Sequence, residues 1–360
     1  MDGSVGIVSL TALTLARPET GLPVGGAETQ LYLLAQALAA EKIPVTLYVA
    51  DLGQGPLTEE GIRFEPLLPL TPELRLRPRH FPPALLKLKR GHHRLYVTRG
   101  ASSINGLTCL AAHWGGGRHM HMVAHDEEAA GLAEATLSFL ARRAHHFGLR
   151  HADVLTCQNG YQKEALQRVY RREASILPSL PHATSTGEGT RAGFLWVGRD
   201  IDFKAPELFI ELARRLPDLP FTMVCQRQPG RDIERLRAAA PPNLRFIPGA
   251  PYPQVRQFFA SHKACVCTSR AEGFPNTFVQ AAGAGTPILS LTVNPDNILA
   301  LTGAGLAFNG DFEALVSSSR RLAEDEGLWR RMSEGARQLA ARQAGAAERV
   351  VAAIRQAMQG

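Results

Sequence analysis

The feature that most constrains this 360-residue chain is a pattern that occurs twice along it. A short apolar run leads through a loop into an amphipathic helical stretch and out into a second apolar run. The first instance begins at Val5-Gly-Ile-Val-Ser-Leu10 and crosses a polar, proline-containing loop to Val24. A helical pattern then opens at Gly25-Gly26-Ala27-Glu28. Leu31, Leu34, Ala35 and Leu38 fall at i, i+3, i+4 and i+7, one face of a helix. The run 43–50 follows, with Val45, Leu47 and Val49 alternating. Strand, loop, helix, strand is a βαβ unit, which dictates a parallel sheet. Further strands are expected at 95–98, 119–124 and 154–157, and a helix near 162–169.

The second instance is cleaner. Strands are expected at 193–197, 221–225, 244–247, 264–267 and 287–291, with helices at 206–216, 231–240, 253–261 and 276–284. Pro206 opens the first of these helices, where its missing N–H costs nothing. Helices dominate after Asp311 and end in a long Ala/Arg-rich stretch to Met358. Between the two instances, 178–191 changes character: two prolines precede the Thr, Ser and Gly run Thr184–Thr190, a linker composition. The reading is an α/β chain of two parallel-sheet domains, 1–183 and 184–340. A closing helix, 341–360, is expected to pack back toward the first domain.

Composition fits this. Hydrophobic residues are 45% and charged residues 20%, ordinary globular usage that excludes disorder and fibrous repeats. Lys plus Arg is 40 against 33 Asp plus Glu, a net charge of +7, which favours anionic partners. The five cysteines are few, odd in number and mostly inside apolar runs, as free thiols of a reducing compartment are. Cys265 and Cys267 would share a strand face and could pair on a metal, but no second cluster lies nearby. Residues 1–10 hold no Lys or Arg and make a poor signal peptide. No run reaches 18 apolar residues. A cytoplasmic protein is expected.

In parallel α/β sheets ligands bind beyond the carboxyl ends of strands. The first strand of the second half ends in Val197-Gly198-Arg199, and its loop runs through Lys204 to the helix at Pro206. Two cations beside a helix N-terminus suit a dianion; the alternative is two solvated surface charges. The stretch Ser269-Arg-Ala-Glu272-Gly-Phe-Pro-Asn276-Thr-Phe-Val-Gln280-Ala-Ala-Gly-Ala-Gly-Thr-Pro287 lies between two strands. Asn276 is positioned to cap its helix and Gly285 to end it. N–H groups of Asn276, Thr277 and Phe278 would point toward a ligand. Glu272 could accept from sugar hydroxyls and Gln280 could bond a ribose. Glu272 as a helix-entry charge and Gln280 as an exposed helix residue fit equally well.

These segments resemble the retaining glycosyltransferases of family 4, which have the GT-B fold: Val197-Gly198-Arg199…Lys204-Ala-Pro and Glu272-Gly-Phe-Pro-Asn…Gln280-Ala…Gly285-Thr-Pro287. The resemblance extends to Gly25-Gly26-Ala27-Glu28, to Ala124-His125-Asp126 and to Ala152-Asp153-Val154…Gln158. It implies two Rossmann-like domains, acceptor binding in the first and a nucleotide sugar in the second. By position, Arg199 and Lys204 would hold the diphosphate and the Gly25-Gly26 backbone would approach it. Glu272 would contact the transferred sugar, Gln280 the ribose, and His125 the sugar near the reacting centre. No cofactor is implied beyond a UDP- or GDP-linked donor substrate. The acceptor would be a glycan, a glycolipid or a lipid-linked precursor. Three positions depart from the family pattern. Gln280 replaces the usual second glutamate, Pro275 stands where many relatives have Gly, and Cys225-Gln226 lacks a common glycine.

Leaving-group charge stabilised by fixed cations and helix N–H groups needs no metal. Asp200 and Asp202 have metal-like spacing but sit in the Arg/Lys loop. His119 and His121 alternate near His113, a spacing metals use but polar strands also show. The stretch 75–94 is basic and apolar, with Arg75, Arg77, Arg79, Lys87, Lys89 and Arg90 among its cations. It reads either as contact with an anionic membrane from the cytoplasmic side or as a solvated, proline-broken connection. Nucleic acid is not expected, since no stacking platform accompanies the charge. A sugar-nucleotide epimerase and a non-catalytic nucleotide-sugar-binding protein are the competing readings.

Overall fold

Strands of two to seven residues form two sheets in the structure, a computed structural model. It describes residues 3–71, 76–132, 137–181, 191–228, 230–250 and 252–360. Two compact units divide the chain: an N-terminal unit, Met1–Leu180 with Gly345–Gly360, and a C-terminal unit, Pro181–Ala344. The linker run Thr184–Thr190, the 183/184 boundary and Arg75 lie outside the described residues.

The N-terminal unit holds β1 (Val5–Val8), β2 (Val45–Ala50), β3 (Leu57–Glu59), β4 (Ile62–Leu68), β5 (Leu95–Arg99), β6 (Arg118–Met122), β7 (Val154–Cys157) and β8 (Ser175–Ile176). They lie in the order β3-β4-β2-β1-β5-β6-β7-β8. Every neighbouring pair is parallel except β3–β4. Its helices are α1 (Leu13–Ala16), α2 (Gly26–Ala40), α3 (Phe81–Arg90), α4 (Ser103–Trp114), α5 (Asp126–Ala129), α6 (Phe139–His151) and α7 (Gly160–Tyr170). Ser102, Ser138 and Asn159 cap α4, α6 and α7 with side-chain oxygens on first-turn N–H groups.

The C-terminal unit holds β9 (Phe194–Arg199), β10 (Phe221–Gln226), β11 (Leu244–Ile247), β12 (Ala264–Cys267), β13 (Ile288–Ser290) and β14 (Gly305–Ala307). Their order is β11-β10-β9-β12-β13-β14, all parallel. Its helices are α8 (Pro206–Arg215), α9 (Glu234–Ala239), α10 (Tyr252–Ser261), α11 (Asn276–Gly283), α12 (Ile298–Thr302), α13 (Phe312–Glu324) and α14 (Glu326–Arg342). Gly345, at φ +69, breaks the Ala/Arg-rich stretch, and α15 (Ala346–Gln359) joins the N-terminal unit. There Val350, Val351 and Ile354 are buried in one core with residues of α2, β1 and β5. Each such side chain contributes roughly 1.5–3 kcal/mol by leaving water. Arg94 and Arg118 add hydrogen bonds to the carbonyls of Met358 (2.6 Å) and Ala357 (2.9 Å).

Two stretches differ from their expectation. The segment around 81–90 is a helix and not a broken connection: Pro82 and Pro83 occupy the first turn, where no N–H is required. At 231–240 the helix shortens to Glu234–Ala239, because Asp232 turns its carboxylate onto the Glu234 N–H at 3.0 Å.

Candidate active site

In the C-terminal unit the site residues sit on two loops at the carboxyl ends of β9 and β12. Gly198 is required there: a Cβ would lie 2.6 Å from the Trp196 ring. The first loop passes Asp200 and the turn Asp202–Lys204 and enters α8 through Ala205, at φ +45. A chain of side-chain hydrogen bonds sews it to the second loop. Trp196 Nε1 donates to Thr268 Oγ1 (2.9 Å), and that hydroxyl donates to the Lys204 carbonyl (2.7 Å). A backbone bond also joins the two loops, the Arg270 N–H donating to the Phe203 carbonyl at 2.7 Å. The Lys204 ammonium then meets Glu272 Oε1 in a close, mostly buried ion pair. The structure thus brings together Lys204 and Glu272, which stand 68 residues apart.

Asp200 and Asp202 diverge. Asp200 is fully buried and accepts from Arg235 at 2.6 Å, whereas Asp202 is exposed and pairs with Arg231 at 2.6 Å. Each is answered by a guanidinium. Cys265 and Cys267 do share a face, but it belongs to an apolar core, and burial pushes both thiols up, away from the thiolate a metal needs.

Helix α11 follows Glu272. Asn276 does not cap it; the cap position is Pro275, which brings no side-chain hydrogen bond, and Asn276 is the first helical residue. The Phe278 N–H does not point outward either. It donates to the Pro275 carbonyl at 3.0 Å, and the Phe278 ring is fully buried. Asn276, Thr277 and Gln280 remain half-buried. Gly285, at φ +64, ends the helix as expected, with Gly285 N–H on Ala282 O (2.9 Å) and Thr286 N–H on Ala281 O (2.8 Å).

In the N-terminal unit the candidates begin α2 and α5. Gly25 is the N-cap of α2, and its N–H donates to the Glu28 carboxylate at 2.9 Å. That donor is committed within the helix. His125 caps α5, its Nδ1 accepting from the Glu127 N–H at 3.3 Å. Asp126 beside it accepts from Asn159 (3.1 Å) and Gln162 (3.0 Å) at the start of α7.

Behind this turn lies a polar core that the sequence reading missed. Glu128, fully buried, accepts from His121 Nε2 and from the Ala124 N–H, both at 2.8 Å. His145 Nε2 stands 3.6 Å from the same carboxylate. Burial alone would raise the Glu128 carboxyl, but the hydrogen bond and charge of His121 win and leave it lowered. Thr98 Oγ1 links His119 Nε2 (2.9 Å) and His121 Nδ1 (2.8 Å). Burial holds His119 well below the usual histidine range, hence neutral. His113 turns away to Asp153 at 2.9 Å, so the three neighbouring histidines do not converge.

His121, Glu128 and His145 bring three potential metal ligand atoms within 4.8 Å of one another. The hydrogen bonds argue against that use. Asn105 Nδ2 donates to the His145 carbonyl (3.2 Å) and lies 3.1 Å from His145 Nδ1. Nδ1 therefore accepts, and the proton occupies Nε2, the nitrogen a metal would take.

Two family models match the chain. The one described as Glycosyltransferase Family 4 covers residues 24–179, and the one described as Glycosyl transferases group 1 covers residues 191–325. No curated protein matches by sequence. Among solved structures, sucrose-phosphate synthase from Thermosynechococcus elongatus superposes with a TM-score of 0.76 at 17% identity, over 98% of each chain. WaaG, a glycosyltransferase involved in lipopolysaccharide biosynthesis, gives 0.73 at 18% identity, over 97% of this chain and 99% of that one. Anabaena HepE, in complex with UDP and glucose, gives 0.75 at 12% identity, over 98% and 99%. With one family model on each sheet-bearing unit, this chain belongs to the family 4 glycosyltransferases of the GT-B fold and is a glycosyltransferase enzyme.

Proposed function

We propose that the chain is a retaining, metal-independent transferase that moves a sugar from a nucleoside-diphosphate sugar to a hydroxyl of a glycan, glycolipid or lipid-linked precursor. The observation that carries this is the Lys204–Glu272 pair, which ties the loop that begins with Arg199 to the loop that follows β12. A cation and a carboxylate held together this way can part around a ligand. The ammonium turns to the diphosphate and the carboxylate to sugar hydroxyls. The bond from the anomeric carbon to the β-phosphate oxygen breaks, and its electron pair stays on that oxygen. Arg199 and Lys204 stabilise the charge where it develops, which is the large electrostatic contribution in such reactions. The acceptor oxygen bonds the anomeric carbon on the face the diphosphate leaves, and its proton passes to the departing phosphate. Gln280 binds the ribose as a neutral amide, Asn276 and Thr277 border the donor, the Gly25-Gly26 backbone approaches the diphosphate, and His125 contacts the sugar. HepE, solved with UDP and glucose, supports the donor class. The Arg235 and Arg231 partners of Asp200 and Asp202 support a site without a divalent ion.

The reading places the enzyme in polysaccharide biosynthesis, in the cytoplasm, with the 75–94 segment against the inner face of the membrane. Calorimetry with UDP and GDP tests it. One nucleotide binds, and Arg199→Ala and Lys204→Ala each weaken that binding strongly. Absence of binding, or variants that bind as the parent does, overturns it. Appearance of an epimerised donor in the absence of acceptor points to an epimerase instead, and full affinity without turnover over a broad acceptor panel points to a binding protein.

A further inference from the structure

Helices α3, α4 and α6 pack side by side, with α3 against β4 and α4 against β5 and β6 of the N-terminal sheet. None of the three contains an Asp or Glu. Their inner faces are spent on packing. Gly106 and Gly148 let α4 and α6 approach so closely that a Cβ at Gly106 would lie 2.0 Å from the Ala144 carbonyl oxygen. Their outer faces carry large apolar side chains that remain exposed: Leu86, Leu110, Trp114, Phe139, Leu140 and Phe147. Phe139 and Leu140, at the start of α6, are 64% and 68% exposed, and Trp114 is 52% exposed. Cations stand among them. Lys89 lies over the Trp114 ring at 3.9 Å, and Arg143 over Phe139 at 5.5 Å. Arg90, Arg142 and Arg150 are exposed as well. Lys87 is the exception, paired with Glu65 of β4 at 2.7 Å.

Scattered exposed apolar residues need no explanation, but a contiguous group interleaved with one sign of charge marks an interaction surface. Apolar and aromatic side chains that project between cations, on helices that carry no carboxylate of their own, match an anionic bilayer. The rings and alkyl groups enter the headgroup boundary while the guanidinium and ammonium groups meet lipid phosphates. We infer that the α3–α4–α6 face docks on an anionic membrane surface, with Phe139 and Leu140 of α6 as its inserting edge and Arg142 and Arg143 as its headgroup contacts. This moves the centre of attachment from the 75–94 segment to a helix that the sequence reading left unassigned. It also places the inserting edge on the segment that follows the His125 turn. Leu132, itself exposed, donates its N–H to the Glu127 carbonyl of that turn at 2.7 Å.

Vesicle binding tests this on the full chain and without donor or acceptor, so its outcome is independent of the transferase reading. Vesicles of phosphatidylcholine with about one-third phosphatidylglycerol should retain the chain at low salt, and pure phosphatidylcholine should not. Arg142→Gln with Arg143→Gln should weaken retention about 30-fold, since each basic group near such a surface is worth about fivefold. Phe139→Ala with Leu140→Ala should weaken it roughly tenfold or more, and Leu301→Ala, an exposed control in the C-terminal unit, should change nothing. Trp114 emission should shift to the blue on binding, and Trp114→Phe should abolish the shift. Should the apolar double variant fail to fold, the exposed arginine pair and the Trp114 signal still decide. Equal retention by both vesicle types, or retention unchanged in both double variants, overturns the inference. So does self-association that the Phe139/Leu140 variant abolishes, which would make the face a contact between copies. Tighter binding to RNA than to vesicles overturns it too.

Discussion

The His125 turn of the N-terminal unit and the Arg199–Lys204 loop of the C-terminal unit both hold polar groups at the ends of parallel strands, and they do so in opposite ways. Behind His125 stands a buried carboxylate whose partners are buried too: Glu128 with His121 and the Ala124 N–H. Around Lys204 the partners are side chains that can let go: Glu272 on Lys204, Arg231 on Asp202 and Arg235 on Asp200. A buried network is fixed because every member left alone is costly. The exposed Arg231–Asp202 pair is individually weak, and the mostly buried Lys204–Glu272 pair keeps each charge matched until a charged ligand takes a partner's place. The first arrangement suits a turn that must keep its shape, the second a loop that must receive a charged substrate.

The largest effect should come from breaking the fixed side. Glu128→Ala leaves His121 and the Ala124 N–H without their acceptor and should cost about 3–5 kcal/mol, read by urea denaturation of the N-terminal unit. Asp202→Ala on the exchangeable side should leave the denaturation midpoint where it was. If the two substitutions cost the same, the contrast between the units is gone.

Next come the cations. Arg199→Ala and Lys204→Ala should each lower kcat/KM by roughly 100- to 1000-fold, the usual loss for one preplaced group at a developing charge. Glu272→Gln should separate ground-state pairing from catalysis. It frees Lys204, so UDP or GDP alone should bind a few-fold tighter while turnover falls.

Acid should also divide the units. Burial lowers His93 to about 4 and holds His119 far below its usual value, so both are neutral in the fold and take up protons only on unfolding. The unfolded state then binds more protons below about pH 6.5, and stability falls as pH falls. Each histidine removes about 1.4 kcal/mol per pH unit between about 6.5 and 5. In the C-terminal unit only His262 is held low among the described residues. Thermal unfolding followed from pH 7 to 5 should show the N-terminal unit melting first. Simultaneous loss would contradict this reading. The most local effect is at Gly198: Gly198→Ala presses a methyl group on the Trp196 ring, and overpacking of that kind costs about 1–3 kcal/mol.

What the sequence disclosed follows from the range of the interactions. Strand and helix patterns of both sheets are local, and so is the five-residue spacing of Arg199 and Lys204. The pairing of Lys204 with Glu272 spans three strands of sequence but joins the ends of neighbouring β9 and β12, and both residues lie in motifs at strand ends. Pro82 and Pro83 concealed α3, because first-turn prolines and helix-breaking prolines look alike in a sequence. The Glu128 network was invisible. His121, Glu128 and His145 come from β6, α5 and α6 and share no period. The one hint was Gly106 and Gly148, helix-interior glycines whose cost makes sense only where two helices nearly touch.

Helix α15 reaches the N-terminal unit only after the whole C-terminal unit has been translated. While the ribosome is still making the second sheet, the first half waits with the seat of Val350, Val351 and Ile354 bare. A nascent chain of this enzyme therefore exposes an oily groove throughout the later part of its synthesis, and chaperones have that interval in which to hold it.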